Sequence, residues 1–221
     1  RTSILNALKY LILLTVVFIV IYPLVGVFLA SFKTKIEYLS TDSMVLPLNW
    51  GNFENYKTVL LKGNVITGFA NTLFIIFFSC IFSTLLCTMV AYCFTRFEFA
   101  GKNYIDKFYM MASFVPSIIV HLIIFKDFAH VGLVNNLFSI VILYSGVDIV
   151  SLYLFKQYFN QISVAVDESA IMEGCSYVRV YWNILLPMVK PAIVTACIIK
   201  ITYIYNDFYT ASYIYPPRKK E

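Results

Sequence analysis

The chain has 221 residues, 60% of them hydrophobic and 13% charged, about half the charged share of an ordinary soluble domain. Its formal net charge of +5 comes from basic residues scattered between apolar runs. They form no stripe, which argues against nucleic-acid binding. The cysteines Cys80, Cys87, Cys93, Cys175 and Cys197 make no CxxC pair, so they offer neither zinc-ligand spacing nor a disulfide framework and read as small apolar fillers.

A bilayer core about 30 Å thick is crossed by about 20 helical residues. Five apolar runs meet that need, at about residues 10–31, 65–94, 108–126, 137–156 and 191–215. They predict an all-α, polytopic membrane helical bundle forming a single transmembrane domain over 1–221. The first run holds Pro23 and Gly26, which membrane helices tolerate. It is too long for a signal-peptide core and no small-residue cleavage pattern follows it, so it reads as a retained helix. The sequence starts at Arg1 rather than Met, and a preceding piece is expected to be absent.

A polar stretch, 33–63, comes next. Its segment Pro47-Leu48-Asn49-Trp50-Gly51-Asn52-Phe53-Glu54-Asn55-Tyr56 carries turn residues and aromatics suited to a membrane interface. The second run is longer than one crossing needs. The third contains Pro116 and His121, the fourth Gly146 and Asp148. Residues 156–190 mix polar and apolar side chains and read as short helices outside the bilayer. The fifth run ends at Pro216-Pro217. With the N-terminus inside, Lys and Arg fall equally on the two sides, so charge alone leaves the orientation open.

The segment Glu168-Ser169-Ala170-Ile171-Met172-Glu173-Gly174 is followed nine residues later by Ile184-Leu185-Leu186-Pro187. Ala170 and Gly174 are four apart and are expected on one helical face, where small residues admit a close partner. Glu168 is expected near a helix start, which the helix dipole favours. Pro187 is expected to end a short helix and Pro191 to open the next span. The spacing resembles the signature loop of ABC importer permeases: Glu-Ala-Ala, three residues, Gly, nine residues, Ile-x-Leu-Pro. Ser169, Glu173 and Cys175 depart from it by small or chemically similar changes.

The Pro47–Tyr56 stretch, with Trp50 ahead of Asn55-Tyr56, and Tyr205-Asn206-Asp207-Phe208 are similar to elements of the maltose-type carbohydrate permeases. The resemblance implies the type I ABC importer permease fold, with five spans present and a sixth missing. It also implies a cytoplasmic coupling-helix loop over 163–187 and places the N-terminus inside. Glu168, Ser169, Ala170, Glu173, Gly174, Arg179 and Pro187 are the implied ATPase-coupling residues.

The chain lacks a Gly-x-x-x-x-Gly-Lys-Ser/Thr loop, since Gly101-Lys102 has neither the upstream glycine nor the following hydroxyl. It therefore has no phosphate cradle of its own. The implied assembly comprises a second permease subunit as heterodimer partner, a cytoplasmic ABC ATPase dimer holding ATP–Mg, and an extracytoplasmic solute-binding protein delivering a sugar. Its implied place is a bacterial cytoplasmic membrane, with several passes. No catalytic residue, metal site or cofactor site is expected on this chain itself.

Ionisable groups inside a membrane are functional candidates by default. Asp148 and Asp207, with Asn206, Tyr205 and Tyr209, are candidates for a sugar path, because sugars take polar hydrogen bonds and ring stacking. Tyr205, Tyr209 and Tyr213 recur every four residues, as one aromatic face would. The same residues also suit structural capping and packing. Lys200 must pair or snorkel, and His121 suits a helix–helix hydrogen bond. Two other readings stay open: a permease of the same fold for a peptide, polyamine or phosphate, and a membrane enzyme or sensor.

Overall fold

The computed structural model describes residues 2–214. The calls on Tyr215, Pro216-Pro217 and Arg218-Lys219-Lys220 lie outside the described residues, as does the side chain of Tyr213. Contacts within the chain group it into two compact units, residues 1–69 and 70–221.

In the first unit, helix α1 (Thr2–Ser31) runs unbroken through Pro23. Its end is fastened by the polar stretch. The Asn55 amide donates to the carbonyls of Ser31 (2.9 Å) and Lys33 (2.8 Å), and Asn52 to that of Phe32 (2.9 Å). These are carbonyls that a helix end leaves without an intrahelical partner. Helix α2 (Lys35–Ser40) starts at a capping box between Thr34 and Glu37. The buried Lys33 ammonium donates to Thr41 Oγ1 and the Asp42 carbonyl. Trp50, Phe53 and Tyr56 pack around Phe32 at ring distances of 5.5, 5.7 and 5.7 Å. Tyr56 belongs to helix α3 (Glu54–Lys62).

Helix α4 (Val65–Arg96) organises the second unit from residue 70 onward. Ser79, Ser83, Cys87 and Ala91 stand four apart on one face, and all four are buried. Small side chains at this spacing let neighbouring backbones approach closely. Among the described residues, α1 over Leu5–Ser31 and α4 are each long and apolar enough to cross a bilayer.

The other three expected spans differ from single helices. Region 108–126 divides into α5 (Lys102–Ala112) and α6 (Ser117–His130). Pro116 at the junction removes a donor and disfavours helix at Val115. Region 137–156 divides into α7 (Leu137–Ser145) and α8 (Ile149–Gln161), bent by 42°. Region 191–215 divides at Asp207 into α12 (Lys190–Asn206) and α13 (Phe208–Ile214). Pro191 does sit in the first turn of α12.

Between α8 and α12 lie α9 (Val164–Met172), α10 (Tyr177–Val180), a π turn (Tyr181–Leu185) and α11 (Leu186–Met188). The expected stop at Pro187 is displaced. The helical path continues to Met188 and turns by 72° into α12 at Val189. Pro187 is tolerated because it occupies the first turn of α11, where its missing N–H would be orphaned anyway.

Two cores hold the second unit. One joins Cys87, Ala91 and Tyr92 of α4 to Phe155 and Phe159 of α8, Ala170 of α9, Val180, Tyr181, Leu185, and Ala192 and Ala196 of α12. The other joins Ile75, Ile140, Val141, Tyr144, Ile204 and Ile214.

Candidate functional site

The elbow from Ser163 to Val189 is built from two capped helical pieces. Ser163 and Ser176 cap α9 and α10, accepting from the N–H groups of Ala165 and Arg179. Helix α9 ends in a Schellman motif: Cys175 N–H donates to the Ala170 carbonyl (3.0 Å) and Gly174 N–H to that of Ile171 (2.9 Å). Gly174 adopts φ +88°, with open space where a Cβ would point. The expected shared face of Ala170 and Gly174 is thus corrected. Ala170 is buried in the core, and Gly174 stands just past the helix because the left-handed turn there favours a residue without Cβ.

A second correction concerns the helix start. The acid in the first turn of α9 is Asp167, with Glu168 one residue beyond it. Glu168, Ser169, Glu173, Gly174, Arg179 and Pro187 are all exposed. Beside them, Met172 and Val178 present apolar side chains at 87% and 66% exposure. One face of the elbow is therefore core, and the other is an open surface of mixed apolar and charged groups.

Asp167 and Arg96 were not singled out from the sequence. Arg96 Nε donates to Asp167 Oδ2 at 2.9 Å and Nη2 to the Ile162 carbonyl at 3.0 Å. The two side chains are only 6% and 7% exposed. The pair ties the end of α4 to the start of α9 across 71 positions, a separation that no local spacing reveals. Asp167 Oδ1 and the Tyr92 hydroxyl are buried and meet no hydrogen-bond partner among the described residues. Each such atom costs roughly 1–3 kcal/mol.

Asp148 and Asp207, the ionisable candidates expected inside the bilayer, fall at the two helix breaks. Asp148 caps α8, its Oδ1 accepting from Ser151 N–H at 2.8 Å. Its Oδ2 lies 3.1 Å from Lys200 Nζ, which also donates to Ser83 Oγ at 2.8 Å. Lys200 therefore pairs rather than snorkels. The small seam of α4 serves this break: Ser83 Oγ lies 3.2 Å from the Gly146 carbonyl oxygen, and Ser79 Oγ 3.5 Å from that of Val141. Gly146 lies in the break, where a helix in lipid needs a neighbour for its backbone groups, whereas the Val141 carbonyl also accepts from Ser145 Oγ at 2.6 Å.

Asp207 repeats the device for α13. Its Oδ1 accepts from Thr210 N–H at 3.0 Å, and its Oδ2 accepts from the hydroxyls of Thr210 and Tyr144. The Thr210 hydroxyl, donating to Asp207, is left to accept from His121 Nδ1 at 3.1 Å. His121 thus makes the helix–helix bond expected of it.

A cavity of about 370 Å³ is lined by Asp148, Lys200, His121, Tyr144 and Tyr203 among others. A second, of about 260 Å³, is lined by Tyr205, Asn206, Asp207, Phe208 and again Tyr144. The structure therefore brings Asp148 together with Lys200 and His121, and Asn206 and Tyr205 together with Asp207. The break at Asp207 interrupts the helix that would have aligned Tyr205 with Tyr209, so the expected continuous aromatic face is not formed; Tyr209 is 61% exposed. Tyr144, Thr210 and Ser83 were missed from the sequence. The four-residue spacing of Ser79, Ser83, Cys87 and Ala91, not used in the sequence reading, is a signal that could have found the seam.

Comparison with known proteins places this arrangement. Residues 83–217 match the family described as the inner membrane component of binding-protein-dependent transport systems. The probable starch degradation products transport system permease protein AmyC of Thermoanaerobacterium thermosulfurigenes is 30% identical over 195 residues, covering 88% of this chain and 70% of that protein. The maltodextrin transport system permease protein MalD of Streptococcus pneumoniae is 26% identical over 218 residues, covering 98% and 76%. A crystal structure of a bacterial ABC transporter involved in importing the acidic polysaccharide alginate superposes with a TM-score of 0.84 at 22% identity, over 97% of this chain and 77% of that one, and shares its fold. The match over most of the chain, elbow included, establishes that this protein belongs to the family of inner membrane components of binding-protein-dependent transport systems.

Proposed function

We propose that this chain is a permease subunit of an ATP-driven importer that moves a sugar or oligosaccharide handed to it by a solute-binding protein. The observation that carries this reading is the elbow. Its inner face is locked into the helical core, while its outer face offers Met172, Val178, Glu168, Glu173 and Arg179 to a partner. A surface built this way transmits force, because a push on the outside moves α12 and α8 as packed bodies. The partner is an ABC ATPase dimer on the cytoplasmic side, where ATP–Mg binds and is hydrolysed. A second permease subunit completes the path, and the chain sits in a bacterial cytoplasmic membrane with several passes.

The sugar reading is supported by relatives named for starch products and maltodextrin. The cavity chemistry agrees with it. Asp148, Asn206 and Asp207 offer acceptors and donors, and Tyr203, Tyr205 and Tyr144 offer rings. A mixture of this kind suits polyhydroxylated cargo, whose hydroxyls need partners once water is left behind. Asp148 and Asp207 already cap helices, so they would meet cargo with their remaining lone pairs.

The test uses the complex reconstituted in vesicles with its binding protein. Gly174→Trp places a large ring in the open space beyond α9. It is expected to leave membrane insertion intact, to release the ATPase on purification, and to abolish ATP-driven uptake of labelled maltodextrin. Wild-type uptake by that variant would refute docking at the elbow. Uptake of labelled peptide, polyamine or phosphate in place of sugar would replace the cargo and keep the mechanism.

A further inference from the structure

Tyr92 and Arg96 are one turn apart on α4, so they face the same neighbour. Arg96 holds Asp167 by one carboxylate oxygen only, Oδ2. The other oxygen, Oδ1, is buried without a partner, and so is the Tyr92 hydroxyl. One is an acceptor with unused lone pairs, the other an O–H donor. The Tyr92 ring is wedged between Phe97, Phe159 and Tyr181 at 5.5, 6.1 and 5.5 Å, so the phenol has little room to swing. Asp167 belongs to α9, the first helix of the elbow.

We propose that Tyr92 and Asp167 are positioning residues that form a hydrogen bond in a second arrangement of the elbow, reached when α9 shifts against α4. This rests on the reading that the elbow docks an ATPase. In the present arrangement Arg96 meets only one of the two carboxylate oxygens, Oδ2. In the second, the carboxylate is shared between Arg96 and Tyr92, and the guanidinium keeps its hold on the Ile162 carbonyl. Two packings that satisfy different members of one buried polar set make a joint with discrete positions rather than a soft one. The unmet atoms of the present arrangement and the bond of the second both favour the second, so the present one is held by the Arg96–Asp167 pair and by the packing of Ala170 into the core.

Tyr92→Phe removes a hydroxyl that bonds nothing in the present arrangement. Reconstituted with the second permease subunit, ATPase and binding protein, the variant is expected to assemble as the wild type does. Its thermal stability is expected to be equal or higher, while ATP-driven uptake falls roughly fivefold or more. Asp167→Asn, which also removes the charge that Arg96 holds, is expected to lower uptake as well, and the double variant is expected to lose no more than the worse single one, since the Tyr92 hydroxyl acts only through Asp167. Wild-type uptake by Tyr92→Phe overturns the proposal. So does a loss of uptake that tracks a loss of thermal stability, which would mark the hydroxyl as part of a static water-bridged network. So do losses that multiply in the double variant. A wild-type chain that retains no ATPase would instead refute the docking reading on which the proposal stands.

Discussion

Arg96–Asp167 and Lys200–Asp148 are both cation–aspartate pairs that join helices far apart in sequence, and in both the aspartate lies at or near the start of a helix. Their surroundings differ. The first pair is closed on all sides, with side chains 6% and 7% exposed. The second has Asp148 35% exposed beside the 370 Å³ cavity, with Lys200 11% exposed. A closed pair is a joint: its charges have no substitute partner, so the helices it ties must move together or exchange partners within the set. An open pair can trade part of its hydrogen bonding with whatever fills the cavity. The fold therefore separates a polar pair closed into the core from one that borders a cavity.

The largest effect that would break this contrast is at the closed pair. Arg96→Met leaves the Asp167 carboxylate buried without its cation. It is expected to cost about 3–5 kcal/mol in denaturant or thermal unfolding of the detergent-solubilised protein. Changing Asp167 to Leu at the same time should recover much of that loss, because no lone charge then remains. Lys200→Met is expected to cost less, about 1.5–3 kcal/mol, since Asp148 keeps its Ser151 bond and can turn to the cavity. If Lys200→Met proved as damaging as Arg96→Met, the distinction between the two pairs would fail.

Smaller effects sharpen the reading of the elbow. Gly174→Ala has space for its methyl but must hold φ +88°, so it should cost about 1–2 kcal/mol. Gly174→Asn should cost clearly less, because Asn tolerates the left-handed region. A thermal-shift comparison of the two separates backbone strain from crowding. Smallest of all, Tyr209→Phe is expected to move stability by less than about 0.5 kcal/mol, as its side chain is exposed. Measured sugar uptake should nevertheless drop if the hydroxyl meets cargo, and stay level if the ring only faces lipid.

The spans were legible as apolar runs because a bilayer sets a minimum length and excludes charge. Their interior breaks were less so. Hydropathy does not register a helix that stops and restarts within an apolar run, as at Ser145–Ile149. Pro116 stands inside a third run that reads as one span, and Asp148 and Asp207, which read as candidate path residues, act as helix caps within apolar runs. At the elbow, the spacing from Glu168 to Pro187 was plain. The role of Gly174 was misjudged, because a four-residue interval suggests a shared helical face only while the helix lasts that long. The Arg96–Asp167 pair was invisible, since its partners belong to different segments and each alone reads as a surface charge near a span end.

The seam of α4 carries a consequence for how the chain is made. The Gly146 carbonyl lies within reach of Ser83 Oγ, and the Val141 carbonyl, which also accepts from Ser145 Oγ, within reach of Ser79 Oγ; the two serines precede them by some sixty positions. A broken span that cannot satisfy its own backbone is a poor traveller across the lipid boundary of a translocon. Because α4 precedes this break in the chain, the hydroxyl row that meets the Gly146 carbonyl is already made when the later segment is synthesised.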